Sequence, residues 1–476
     1  MAFISLAPVS GDPMGFGNTP EDGESTSSKS TESGEEGLCR FRDPPLGCVR
    51  LRQSAWRGIP STVFFEYPPE LGLKRNDVSC IEPLGTRKLI YSSHWERICI
   101  RNAFQRAGFE NNPGRKDWTG LWSKHQNDSQ MKGLNCLQKV NHFPASWCVG
   151  RKDRLARTME TMQRIHGSEF NFHPENFILP AEREALIRQV GVDYQSCKSR
   201  SANHRGESEK LSMWILKPVA SSCGRGIKVL TGQQLLALPK TKRALVQRYL
   251  HSPYLIDGKK FDLRIYVLVS GVDPLRVYIH DEGLTRISTS NYSLKNLSNR
   301  FAHLTNYSIN KKSKVFKAAA FDADCGDCGD GPSGTPDGED GADTEGFKWS
   351  LAAFKRWLSK KESPEITKAT FERIHALCVK TMVAAESTIT PQLHASANFR
   401  TNCFELFGCD VILDSELNPH LLEVNVSPSL VGSSPLDKRI KGTVIADILH
   451  IVGLYPHDNK VSFPFRVVFL ANPLHL

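Results

Sequence analysis

Between Phe407 and Asn425 the chain reads FGCDVILDSELNPHLLEVN, two short apolar strands around a turn. This stretch restricts the fold more than any other. Folding it about Glu416 and Leu417 sets Leu413 against His420, and Asp410 directly across from Glu423. Side chains alternate along a strand, so Glu423 and Asn425 share a face. Three oxygen-bearing side chains then converge on one patch. Like charges placed opposite each other destabilise a sheet, which calls for an explanation. A bound Mg²⁺ supplies one, because hard cations take carboxylate and amide oxygens and keep positions free for phosphate. A solvated hairpin with incidental acids fits the spacing equally well.

At 476 residues and 39% hydrophobic content, the chain is long enough for a sizeable core and two or three lobes. No apolar run spans a bilayer, and the N-terminus lacks the basic and apolar regions of a signal peptide. The 13 cysteines follow no disulfide-framework spacing, which suits a reducing cytosol. Cys325 and Cys328 form a lone CxxC in an acidic, Gly-rich stretch. With no second pair at zinc-ligand spacing, it reads as loop composition.

The net charge of +10 is unevenly spread. Residues 1–37 hold seven acids against Lys29 alone, and residues 321–346 hold nine acids with no Lys or Arg. Setting aside these stretches, of net −6 and −9, leaves +25 for the remainder. So basic a folded part implies a polyanionic partner: nucleic acid, membrane surface or an acidic protein tail. No zinc finger, RNP-type aromatic motif or long basic run supports nucleic acid.

Residues 1–60, rich in Ser, Gly, Glu and Pro, are expected to be disordered. A globular part is expected over 61–453, with an N-terminal lobe (61–175), a central lobe (176–247) and a C-terminal lobe (248–453). The acidic stretch 321–346 reads as an exposed, flexible insertion, and 454–476 as a short tail. Residues 153–165 have helical spacing, with Leu155, Met159, Met162 and Ile165 as a buried stripe. From Ser212 the texture becomes strands: SMWILK, IKVL, ALVQRYL, KFDLRIYVLVS and PLRVYIH. Helices are expected in KWSLAAFKRWLSK, ATFERIHALCVKTMVAAEST and KRIKGTVIADILHIVG.

Lys260, Asp262 and Arg264 alternate with Phe261, Leu263 and Ile265, so one strand face is charged and the other apolar. By itself such a face can be merely solvated. In WILKPVASSCGRGIKVL, Lys217 ends an apolar strand, and a small-residue loop with Gly224 and Gly226 precedes the next. Such a loop brings backbone N–H groups close to phosphate oxygens while the lysine supplies a point charge. It is not a Walker A loop, since no GK[ST] opens a helix.

The segments WILKPVASSCGRGI, LVQRYLHSPYLIDGKKFDLRIYVLV, HLTNYSINKK and CFELFGCDVILDSELNPHLLEVNVSPSL resemble the tubulin–tyrosine-ligase-like family, most of all its polyglutamylase branch. The resemblance runs from about Arg87 to Gly453. It implies an α/β ATP-grasp fold in which ATP sits between two lobes built on antiparallel sheets. It also implies a ligase that uses ATP to phosphorylate an acceptor carboxylate, which the amine of an incoming amino acid then attacks.

Carried over by motif, Lys217 contacts ATP phosphates under the loop at Cys223 and Gly224. The family usually has Arg where Cys223 stands, and Arg225 is a candidate replacement. Gln247, Arg248, Tyr249 and Leu250 would form the hinge at the adenine edge. Lys260, Phe261 and Asp262 would reach ribose and phosphates, with Thr305 and Asn306 also at nucleotide positions. Arg264 would act with Lys217 as a catalytic cation, and Lys152 as a second ATP-binding lysine. Asp410, Glu423 and Asn425 match the Mg²⁺ ligands. For the incoming amino acid the positions are Arg286, Tyr307, Ser308, Lys348 and Arg439. Cations there favour free L-glutamate, a substrate with two carboxylates.

The resemblance therefore implies glutamate ligation onto acidic C-terminal tubulin tails on microtubules, or onto other acidic proteins. It implies cytoplasmic work at the cytoskeleton, cilium or basal body, without nucleic acid or membrane. Two alternatives stand beside it: a glycine ligase on the same fold, and a catalytically weak microtubule-binding member, raised by Cys223.

Overall fold

The computed structural model describes residues 2–3, 48–52, 60–71, 80–84, 88–94, 96–200, 212–219, 224–315 and 343–456, and the statements below concern these. Four strands build a small antiparallel sheet: β1 (Asn176–Leu179), β2 (Met213–Lys217), β3 (Lys228–Thr231) and β4 (Ala244–Arg248), in the order β3-β2-β4-β1. Alternation gives each strand two jobs. Trp214, Leu216 and Val246 pack with Leu186 and Val190 of the helix Arg183–Arg200. The intervening Ile215, Lys217 and Gln247 face a cleft.

The larger sheet is organised by the long hairpin of β5 (Lys259–Val272) and β6 (Leu275–Asn291). Beside β6 lies β7 (Lys348–Ser350), and beside β5 lie β8 (Glu405–Leu413) and β9 (Pro419–Asn425). Helices cover β5 on both faces. Phe261, Leu263, Ile265 and Val267 join a core with Phe354, Phe371 and Ile374, from helices Leu351–Lys361 and Pro364–Ser396. On the other face Tyr266 and Leu268 meet Ile440 and Val444 of the helix Pro435–Val452. Each such apolar side chain contributes about 1.5–3 kcal/mol. Lys260, Asp262 and Arg264 share the Tyr266 face and are buried too. That face is not solvated.

Several expectations need correction. A strand at Cys48–Arg52 lies inside the segment expected to be disordered, because Val49 and Leu51 join the core around Phe65 and Phe104. The 153–165 helix spans Lys152–His166; Leu155 and Met159 are buried and Met162 packs against the same core, but Ile165 is 62% exposed. Not every sheet is antiparallel. Ile90–Ser92 pairs in parallel with Glu110–Asn111 and Gly120–Leu121, which in turn pairs with Lys139–Val140. The Cys325–Cys328 pair and residues 321–342 of the acidic stretch lie outside the described residues. Among the described residues no helix is long and apolar enough to cross a membrane.

Candidate active site

The β8–β9 hairpin turns at Leu417, which takes a positive φ of 63°, while Asp414 accepts backbone N–H bonds from Glu416 and Asn418. Next to the turn Leu413 pairs with Pro419, not with His420. A bulge then leaves Leu422 as the extra residue and restores Asp410 opposite Glu423 and Gly408 opposite Asn425. The expected juxtaposition therefore holds, although the expected register near the turn does not. The bulge also frees the Leu422 carbonyl, which accepts a bond from Lys217 Nζ at 3.4 Å.

Asp410 is the centre of a charged row across the sheet. Arg264 donates to it from Nε at 2.6 Å and from Nη2 at 3.2 Å, and Arg286 Nη2 lies 2.8 Å away. Arg286 also grips Asp262 through bonds of 2.7 and 2.5 Å. Burial pushes the Asp410 carboxyl up, but the two guanidinium groups outweigh it and hold the carboxyl well below the usual carboxylate range. Gly408 makes this packing possible: a Cβ there would meet Pro428 at 2.8 Å and Arg264 Cδ at 3.0 Å. Glu423 faces Lys152 at 3.4 Å.

Two carboxylates and an amide oxygen on neighbouring strands suit a hard divalent cation. Asn425 spends its Nδ2 on the Gly408 carbonyl at 3.3 Å, which leaves its amide oxygen for a cation. The residues fit the expected Mg²⁺ ligand set.

A cleft of about 800 Å³ runs between the small and large sheets. Its lining includes Lys152, Lys217, Gly224, Gln247, Arg248, Tyr249, Leu250, Lys260, Asp262, Thr305, Asn306, Asp410 and Glu423, all anticipated from sequence. Lys217 donates to Gln247 Oε1 at 2.6 Å. Lys260 donates to Tyr249 Oη at 3.1 Å, with Tyr249 Oη 2.8 Å from His303 Nδ1. Burial lowers both lysines, Lys217 to about 8 and Lys260 to about 7. Two buried amines beside two carboxylates are poised to meet a polyphosphate. Gly224 has φ 69°, and a Cβ there would lie 2.5 Å from Ile309 Cδ1 and 2.8 Å from Asn306 Oδ1, so only glycine fits the loop.

Not every expected residue joins the cleft. Phe261 points the other way, 5.1 Å ring to ring from Phe354, because alternation puts it opposite Lys260 and Asp262. Cys223 lies outside the described residues. The Arg248 guanidinium is held by Glu175 and Asp193, so its backbone is what borders the cleft. Arg286 and Lys348 are neighbours across β6 and β7. Lys348 Nζ sits 4.4 Å above the Tyr307 ring and 2.8 Å from Asp437. Arg439 pairs with Asp343, and Ser308 lines a second hollow.

Sequence reading missed His303 and Asp437. His303 lies two residues before Thr305. Asp437 carried a signal in SSPLD, where the Ser434 side chain accepts the Asp437 N–H and caps the helix.

The family described as the tubulin-tyrosine ligase family matches residues 127–328 and 335–461. The chain belongs to that family. Its ATP-grasp ligase fold accounts for the mixed α/β sheets and the cleft between them. Among similar proteins, "Tubulin monoglutamylase TTLL4" of Homo sapiens is 38% identical over 411 residues, 85% of this chain and 30% of the relative. "Tubulin polyglutamylase TTLL5" of Homo sapiens is 39% identical over 375 residues, 78% of this chain and 26% of the relative. "Tubulin polyglutamylase ttll-4" of Caenorhabditis elegans is 33% identical over 349 residues, 72% of this chain and 51% of the relative. The chain thus spans about a third or less of the two human relatives.

Proposed function

We propose that this chain is an ATP- and Mg²⁺-dependent ligase that joins L-glutamate to glutamate side chains in acidic protein tails, tubulin's first, at the cytoskeleton. The observation that carries the reading is that Asp410 and Glu423 face each other in the same cleft as Lys217 and Lys260. Lys217 and Lys260 draw in the phosphates, and Gly224 closes over them. Asp410, Glu423 and Asn425 would hold Mg²⁺, which neutralises charge on the transferring phosphoryl oxygens when bound. Arg264 keeps its guanidinium beside that position and stabilises the same charge.

The γ-phosphoryl group passes to the acceptor carboxylate, giving an acyl phosphate and ADP. The incoming amine attacks the carbonyl, phosphate leaves, and the amide forms with loss of one amine proton. Arg286, Lys348 and Tyr307 orient the two carboxylates of the incoming glutamate. The named relatives divide between mono- and polyglutamylases, and the mass of the product reports how many residues this chain adds.

The test is purified protein with ATP, Mg²⁺ and labelled glutamate, glycine or tyrosine on intact and tail-cleaved microtubules. Glutamate alone should be incorporated, and only where tails remain. Incorporation of glycine in preference to glutamate would overturn the reading.

A further inference from the structure

His303 borders the nucleotide cleft beside Thr305 and Asn306, and both of its ring nitrogens are occupied. Nε2 lies 3.0 Å from the Asn296 carbonyl oxygen, and Nδ1 lies 2.8 Å from Tyr249 Oη. A carbonyl oxygen only accepts, so Nε2 carries the proton. Burial holds His303 below its ordinary value, and Lys260 adds to the effect, so the ring is neutral at pH 7. Nδ1 is then a lone pair, and the Tyr249 hydroxyl donates to it.

With its proton committed there, the phenol presents its oxygen to Lys260 Nζ at 3.1 Å. Tyr292, the other hydroxyl beside Tyr249, donates its own proton to the His251 carbonyl at 2.8 Å. One backbone carbonyl, that of Asn296, therefore sets the direction of each proton from His303 to Lys260. Lys260 depends on that direction. Tyr249 Oη is its one hydrogen-bond acceptor among the described residues, and the ammonium sits 4.4 Å from the centre of the Tyr249 ring. Lys260 is itself buried, where an ammonium without an acceptor is costly. A phenol that turned its proton toward Lys260 would push the lysine out of its place in the cleft.

We propose that His303 is a positioning residue for ATP, acting through Tyr249 to hold Lys260 where the phosphates arrive. The inference rests on the ATP cleft of the ligase reading above, and not on which amino acid is joined.

The test uses the full chain and a fluorescent non-hydrolysable ATP analogue, so that binding is read without turnover. His303→Gln keeps an N–H for the Asn296 carbonyl but offers no acceptor at the Nδ1 position. His303→Asn does the reverse, placing an amide oxygen there. The glutamine variant should bind the analogue about tenfold more weakly, and the asparagine variant should bind it about as well as the unaltered chain. A merely structural role, carried by the Asn296 bond, gives the opposite order. Tyr249→Phe should also lose about tenfold, and Tyr249→Phe/His303→Gln should be no weaker than Tyr249→Phe. In glutamate incorporation His303→Gln should raise the KM for ATP and leave kcat unchanged. Unaltered binding by His303→Gln, or single losses that multiply to about a hundredfold in the double variant, would overturn the proposal. If the binding pattern holds and no glutamate is joined, the ligase reading falls and the role of His303 stands. If the unaltered chain binds no analogue, both fall.

Discussion

Arg264 and Asp410 face each other on the two central strands β5 and β8, joined by two hydrogen bonds inside the molecule. A buried pair of this kind is costly to break, because the surviving charge is left with fewer partners. Replacing Arg264 by Met should lower folding stability by about 3 kcal/mol, read as a reduced urea midpoint. Glutamate incorporation should fall about a thousandfold, while ATP still binds. A variant that kept near-normal turnover would remove Arg264 from the catalytic role.

The depressed lysines give ATP binding a pH dependence. In the free protein burial lowers Lys260 to about 7 and Lys217 to about 8. A polyphosphate favours the protonated amines and raises both. Affinity is therefore greatest below pH 7 and falls as pH rises through 7 and 8, where protons must be taken up on binding. Titration with a non-hydrolysable ATP analogue from pH 6 to 9 measures this. Affinity that climbs with pH across that range would contradict the assignment of these amines to the phosphates.

Asp437 sits between two lysines, 2.8 Å from Lys348 and 2.8 Å from Lys441, and accepts a 2.5 Å bond from Ser433. It touches no substrate position itself; it holds Lys348 over Tyr307. Asp437→Asn should therefore raise the KM for glutamate about tenfold through a lost charge-assisted bond, with the KM for ATP little changed. Equal rises in both would point to general damage to the fold.

Much of the site was legible because strand alternation is a strict rule. The pairing of Asp410 with Glu423, the common face of Lys260, Asp262 and Arg264, and the two faces of β2 all follow from a period of two. The same rule argued against Phe261 as a cleft residue, and the structure agrees with the alternation. What alternation cannot supply is an irregularity: the bulge at Leu422 shifts the register without any local residue that demands it. Long-range partners were equally hidden. Lys348 and Asp437 are 89 residues apart, and nothing in either segment names the other. Cys48–Arg52 was missed because two buried apolar side chains in a short strand carry little pattern against a Pro- and Ser-rich background.

The metal position is tested most directly by Glu423→Gln. The substitution keeps size and shape, removes one charge, and leaves Asp410 across the ladder and Asn425 on the same strand in place. Incorporation of labelled glutamate into microtubules should drop to background at every Mg²⁺ concentration, with the circular dichroism spectrum and melting temperature close to those of the unaltered chain. Full incorporation by that variant would contradict the account.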